Sequence, residues 1–374
     1  MTSAEASFRQ RRAARGLSII EVMVGLIVGL LVSLTATRSA QFFTATQRQG
    51  VAVGGGSANA ASALAAIKDD VAIGGMGFFV DGRYRCATLN MSVGNTLVSN
   101  GTAFAPMQAT RVGNNDVLDV IYASNVAAGA WSELNTESDG STATLNSMLP
   151  LTVAQDPVVL LARKVVDVTA ANPCLVRTAT ANVMPTATAP RQLVTFGNAG
   201  THNQGVFAST PAFREQSPVV LLGNLQWNRY ALNGTDLQLT RRLTGQTATL
   251  LRNVIGFRVQ YGVSNVGSPS LDDWVHVTEG SWNTIDNANI DRVRAVRIGV
   301  VMRSPQREKP EGSNGECLTS TAKPRLFDGA DSVEIEPDVA DWQCYRYRSA
   351  IVIAPLRNLI SGTATINWPV TVLQ

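Results

Sequence analysis

Charged side chains are scarce in this sequence and histidine is almost missing. Asp, Glu, Lys and Arg together make up 16% of 374 residues, and His202 and His276 are the only imidazoles. Four cysteines, none in a C-x-x-C pair, complete a poor inventory of metal ligands, so no zinc site is expected. Low charge combined with 45% hydrophobic residues also excludes a self-repelling disordered chain, because that content can bury a sizeable core. The formal net charge of +3 is local: Arg9, Arg11, Arg12 and Arg15, against Glu5, supply it, and the remainder is neutral. No global field attracts a phosphate backbone, and no nucleic-acid partner is expected.

Catalytic machinery is equally thin. The glycines at 54–56 and 74–77 do not lead from a strand into a helix carrying Lys-Ser/Thr, so neither is a phosphate loop. His202 lies in Thr-His-Asn and His276 in Trp-Val-His-Val, contexts that permit a Ser/His/Asp triad without pointing to one. Asp286, Asn287, Asn289 and Asp291 form an oxygen-rich loop without the spacing or terminal Glu of an EF-hand, which reads as a solvated turn before a calcium site. No catalytic residue, cofactor or metal is assigned, and the chain is not expected to be an enzyme.

What the sequence does have begins at its N-terminus. Residues 17–37 carry a single charge and, as a helix, would extend about 31 Å, the thickness of a bilayer core. Four arginines precede this run and Arg38 follows it, so the positive-inside bias places 1–16 in the cytoplasm and the rest outside. The run is too long for a secretory signal and no small-residue cleavage site closes it. Glu21 is the exception within it, since a carboxylate at mid-bilayer costs about 2.5–3.5 kcal/mol and needs a partner.

Arg15-Gly16-Leu17-Ser18-Ile19-Ile20-Glu21, followed by the apolar run, resembles the class III signal of type IV pilins and pseudopilins. The resemblance implies that a prepilin peptidase cuts between Gly16 and Leu17 and methylates the new N-terminus. Glu21 then becomes the fifth mature residue, facing the N-terminal amine of a neighbouring subunit. Leu17 stands where that family usually has Phe.

Past the span, the helical pattern reaches about residue 50, and Gly54, Gly55 and Gly56 predict a kink. Ala60, Leu64, Ile67 and Val71 then form one apolar stripe that ends at Gly74-Gly75 and needs a sheet to cover. β-rich runs follow at 117–122, 158–162, 193–196, 219–222, 298–302 and 349–354. Residues 225–232 and 236–243 flank Asn233-Gly234, which predicts a hairpin with a type I′ turn. The Ala/Thr/Pro-rich stretch 178–190 reads as a linker or surface loop.

Further motifs narrow the resemblance. Residues 250–254, 257–263, Trp274, 293–298, Arg303-Ser304 and Leu356-Arg357-Asn358 are similar to the C-terminal half of the PilW family of type IV pilus minor pilins, and Asp69-Asp70-Val71 through Cys86 to its post-helix segment. Residues 90–215 carry no alignable pattern, and Ser264–Ser268 replaces an often acidic turn. The implied fold is α+β and type IV pilin-like. A long N-terminal helix, transmembrane in its first half, packs on an antiparallel β-sheet head with a large β-rich insertion. The expected order is a 1–16 leader, a 17–37 transmembrane half, a 38–76 exported amphipathic helix, a 77–217 variable β-rich region and a 218–374 head with a C-terminal cysteine loop.

The function implied is that of a minor pilin in the priming or tip complex of a type IV pilus, with the adhesion and motility such pili serve. Expected partners are other minor pilins, the major pilin, the prepilin peptidase, the inner-membrane assembly platform and membrane lipid. The protein would be a single-pass inner-membrane protein with a periplasmic head before assembly, and part of the pilus tip after it. The alternatives are a J-type minor pseudopilin of type II secretion and an anchored surface adhesin or enzyme.

Cysteine pairing admits three patterns. Cys317 and Cys344 bracket a Pro/Gly/Asp-rich stretch with little apolar content, and closing that loop is worth roughly 3–4 kcal/mol in the chain-entropy model. Cys317–Cys344 is therefore the first pair expected and Cys86–Cys174 the second.

Overall fold

The computed structural model describes residues 19–80, 83–124, 129–164, 173–286, 288–310 and 315–357; within its helix, the side chains of 21–22 and 38–57 are outside the description. The chain divides into two compact units, Met1–Gly55 and Gly56–Gln374.

A helix of 54 residues, Ile19–Ala72, supplies the first unit and opens the second. Its hydrogen bonding continues through Gly54, Gly55 and Gly56, where the sequence predicts a kink. Each glycine costs about 1 kcal/mol relative to alanine. A break would instead leave two further helix ends with unsatisfied N–H and C=O groups, which costs more.

In the first unit the large described side chains are apolar and exposed. Ile19, Ile20, Met23, Val24, Leu26, Ile27, Val28, Leu30, Leu31, Val32 and Leu34 range from 53% to 79% exposed. The hydroxyls of Thr35 and Thr37 donate to the carbonyls of Val32 and Ser33 at 2.9 and 2.7 Å, so neither needs a partner outside the helix. Among the described residues no helix is long and apolar enough to cross a membrane. The continuous apolar stretch with described side chains, 23–37, is about 22 Å long, against about 30 Å for a bilayer core.

In the second unit the helical stripe is buried as its spacing requires. Ala60, Ile67 and Val71 are fully covered and Leu64 nearly so, and they share the main core with Val120, Tyr230, Phe257 and Ile298. Burial of each large side chain contributes about 1.5–3 kcal/mol.

The sheet beneath has ten strands. Along its main path run Gln246–Leu251, Asp236–Arg241, Pro218–Asn233, Val158–Ala162, Pro173–Thr178, Thr88–Val93 and Thr96–Ala103. Pro218–Asn233 organises it by changing partners along its 16 residues. Its first part pairs with Val158–Ala162 and Trp131–Glu133, its last with Asp236–Arg241, and Asn115–Ser124 covers the remaining edge with a register shift at Gly223. The separate runs expected at 219–222 and 225–232 are thus one strand. One ladder departs from the antiparallel expectation: Pro173–Thr178 runs parallel to Thr88–Val93, beside the Cys86–Cys174 bond.

The hairpin is present with its turn displaced by one residue. Asn233 pairs with Asp236, leaving Gly234 and Thr235 as the turn, and only Gly234 has a positive φ, 60°. A type I′ turn needs positive φ at both central residues, which β-branched Thr235 resists, so the I′ expectation fails. Within 178–190, Ala181–Val183 is a short strand paired with Gln192–Thr195, so that stretch is not all loop.

A second, four-stranded antiparallel sheet holds Asp273–His276, Val254–Val263, Val293–Arg303 and Tyr347–Pro355 in that order. Every residue of Val254–Val263 is buried. Phe257, Val259 and Tyr261 face the main core, while Ile255 and Val301 lie under Leu326, Phe327 and Ile335. The cover belongs to the chain between Arg303 and Tyr347, which the Cys317–Cys344 bond closes with a Cα separation of 4.9 Å. Gly299 permits the close approach, since a Cβ there would stand 2.9 Å from Leu326 Cδ2.

Candidate functional site

The processing residues Gly16 and Leu17 lie outside the described residues, and Glu21 lies in the helix with its side chain outside them. Both cysteine pairs named from the sequence are bonded. Cys86 joins Cys174 across a Cα distance of 5.2 Å, tying the segment after the helix to the central sheet, and Cys317 joins Cys344.

The helix meets the sheet through one acid. Asp70 sits in the last turn, where the negative end of the helix dipole disfavours a carboxylate, so it needs donors. It receives three: the Tyr122 hydroxyl at 2.8 Å, the Asn228 amide at 2.6 Å and the Tyr230 hydroxyl. Burial, followed by the Asp70 charge, holds both phenols well above their ordinary ionisation range. They therefore remain neutral donors at every pH the fold meets. The sequence marks Asp70 only as an acid beside a buried stripe, because its partners lie on strands 52, 158 and 160 residues away.

A second seam joins the two sheets. Asn115 Oδ1 accepts the Phe257 N–H at 2.9 Å, Asp116 Oδ2 accepts the Val259 N–H at 2.8 Å, and the Tyr261 hydroxyl accepts the Ala109 N–H at 2.6 Å. Asp116 is fully buried and also pairs with Arg111. These bonds use backbone groups, so they fix register as well as contact.

On the outward face of the four-stranded sheet, Arg297 lies between the rings of Trp274 and Phe327, 4.6 and 4.5 Å from their centres, and donates to Asp331 at 2.8 Å and to Gln260. Arg303 pairs with Asp338 at 2.9 Å. Guanidinium groups thus anchor the disulfide-closed cover to the strands beneath.

The two histidines stand apart. His202 is buried with Nδ1 against the Ser92 carbonyl, and burial lowers its pKa below the usual value. His276 pairs with Gln260 and lies 3.8 Å from Glu279. In the oxygen-rich loop, Asn289 Oδ1 accepts the Asp286 N–H and Asp286 Oδ1 the Ala288 N–H, each at 2.8 Å, so these oxygens serve the turn itself. Among the described residues no group of three or more His, Cys, Asp and Glu side chains is placed to hold a metal.

Residues 224–358 match the family model of PilW, the Type IV Pilus-assembly protein W. This stretch of the chain is PilW-like. No curated protein matches the chain. Among solved structures it is similar to a type IV-like pilin from Thermus thermophilus, at 7% identity and a TM-score of 0.34, over 81% of this chain and 97% of the other. The PilW-like stretch holds Asn228 and Tyr230, the strand Val254–Val263 that forms one side of the inter-sheet seam, and the whole disulfide-closed cover. Asp70, Tyr122, Asn115 and Asp116 lie outside it. Each seam therefore bonds the PilW-like stretch to chain that the family model does not reach.

Proposed function

We propose that this protein is a minor pilin that assembles through its N-terminal helix and β-rich head into the priming or tip complex of a type IV pilus. The observation that carries the reading is the exposed apolar surface of 19–34 on a chain whose residues 224–358 are PilW-like. A helix apolar on every side is stable only among lipids or other helices, where each covered large side chain gains about 1.5–3 kcal/mol. The head then serves as the part that recognises neighbouring heads.

In this reading prepilin peptidase cuts between Gly16 and Leu17 and methylates Leu17, leaving 17–37 to hold the protein in the inner membrane with its head in the periplasm. Other minor pilins, the major pilin and the assembly platform are the partners. Glu21 meets the amine of an adjacent subunit and sets axial register, because an ion pair in low dielectric rewards one alignment over its neighbours. The PilW match favours the pilus over a J-type secretion pseudopilin.

Intact-mass analysis of membrane-extracted protein tests the processing: the expected species begins with methylated Leu17, and retention of 1–16 overturns it. Glu21→Ala tests assembly, with normal processing and unchanged head melting but loss of incorporation into pili as the expected result. Normal incorporation would reject the register role, and co-purification with secretion pseudopilins alone would favour the rival.

A further inference from the structure

On the strand Pro218–Asn233, Asn228 and Tyr230 reach Asp70 of the helix, so Trp227 and Arg229, which alternate with them, lie on the other face of the sheet. A cleft of about 320 Å³ opens there, within the range of roughly 300–1,000 Å³ typical of small-molecule sites. Val98, Phe104 and Pro106 line one side, residues 283–285 another, and Asp119, Trp227 and Arg242 also border it. Gln108 ties the sides together. Its Nε2 donates to the Asn283 carbonyl at 3.2 Å, and its Oε1 accepts the Ile285 N–H at 2.8 Å.

One charge in this cleft is incompletely answered. Asp119 spends both carboxylate oxygens on Arg229, with Nε at 3.0 and 3.2 Å and Nη2 at 2.8 Å. Arg242 lies 3.7 Å from the same carboxylate, and among the described residues its guanidinium makes no hydrogen bond. Two cations thus share one acid. Arg242 is nevertheless held in place: its backbone N–H donates to the Trp227 carbonyl at 2.8 Å, and its guanidinium lies over the Trp227 ring, 4.4 Å from the centre. Stacking occupies the flat face of a guanidinium and leaves the N–H donors at its edge open to a carboxylate. The side chain is 29% exposed, and burial lowers its pKa, an effect that the Asp119 charge opposes and the Arg229 charge reinforces. A second carboxylate would complete the pairing.

We propose that this cleft binds a small carboxylic acid, its carboxylate on the edge of Arg242 and its apolar body against Val98, Phe104 and Pro106. Arg242 recognises the acid through charge-assisted hydrogen bonds, and Trp227 fixes the orientation of the fork. Asp119 disfavours a second negative charge on the ligand. A free acid and the carboxyl end of a peptide offer the same group, and the probes below separate them.

Titration calorimetry of the full chain in detergent micelles with N-acetylphenylalanine tests this. The acid should bind, and its neutral amide, N-acetylphenylalaninamide, should bind about tenfold more weakly. Arg242→Gln should lower affinity for the acid by about tenfold and Arg242→Lys by less, while Asp119→Asn should raise it. Arg348→Gln, on the four-stranded sheet, should leave it unchanged. Absence of binding, equal binding of acid and amide, or full affinity in Arg242→Gln overturns the proposal. Tetraglycyl-phenylalanine that binds as tightly as the free acid supports the site as one for chain ends, and clearly weaker binding supports it as one for free acids. Should the variants unfold, phenylglyoxal modification of the native chain decides. N-acetylphenylalanine should slow modification of Arg242, followed by peptide mapping, without slowing that of Arg348, and unchanged rates at Arg242 overturn the proposal.

Discussion

Asp70, in the last turn of the helix, accepts a 2.8 Å hydrogen bond from the hydroxyl of Tyr122, on the strand Asn115–Ser124. With Asn228 and Tyr230 on the same carboxylate, this is where the helix acquires a fixed position along its own axis, since an apolar stripe by itself tolerates sliding.

Asp70→Ala leaves three buried donors without their acceptor. Hydrogen bonds to a charged group are worth about 1.5–3 kcal/mol each, and their loss is not additive, so a destabilisation of about 3–4 kcal/mol is expected. Tyr122→Phe removes one donor and should cost about 1–2 kcal/mol. Urea midpoints of the two variants check the order, and a smaller loss for Asp70→Ala than for Tyr122→Phe contradicts the acceptor role.

Gly299→Leu drives a side chain into Leu326 and Phe327. Overpacking of this kind costs about 1–3 kcal/mol, and here it should lift the cover before it unfolds the sheet. Increased proteolysis confined to 304–346, with the large sheet intact by hydrogen exchange, is the expected pattern.

Replacing Cys317 and Cys344 together by Ser removes a crosslink over 27 residues, with an expected loss of roughly 3–4 kcal/mol. Peptide mapping of the native protein without reductant should recover Cys317–Cys344 and Cys86–Cys174. A Cys86–Cys317 peptide would contradict the structure.

His202 gives a pH dependence of definite sign. Its folded pKa lies below the unfolded value near 6.5, with burial as the cause, so below that pH the unfolded chain binds the extra proton. The neutral ring's contribution is complete above about pH 6.5 and declines as pH falls toward the folded pKa. Urea midpoints between pH 7.5 and 5 should drop more steeply for the native protein than for His202→Asn, and equal slopes would reject it.

The helical stripe, the runs at 117–122, 158–162 and 349–354, and both disulfides were legible because each rests on local period, composition or loop closure. Other features rest on distant chain. Arg258 and Gln260 alternate with apolar neighbours and so look solvent-facing, yet both are buried, Arg258 donating to the Asn114 carbonyl and Gln260 to the Asp331 carbonyl of a cover that arrives from beyond Arg303. No local pattern reports that a polar face will be roofed. The partner exchange within Pro218–Asn233 was hidden in the same way, since edge and centre share one composition. Tyr122, Asn228 and Tyr230 gave no signal as Asp70's donors, because nothing near any of them in sequence names a carboxylate.

The bond between Cys86 and Cys174 has a mechanical meaning. A pull applied through the helix reaches Cys86 shortly after Ala72 and passes straight into Pro173–Thr178, and from there through its ladders to Val158–Ala162 and Pro218–Asn233. The 88-residue excursion between the two cysteines is bypassed by this covalent path, apart from the Asp70–Tyr122 bond. About 300 Å of chain that could otherwise pay out under tension stays folded, and the head yields only when the central strands shear.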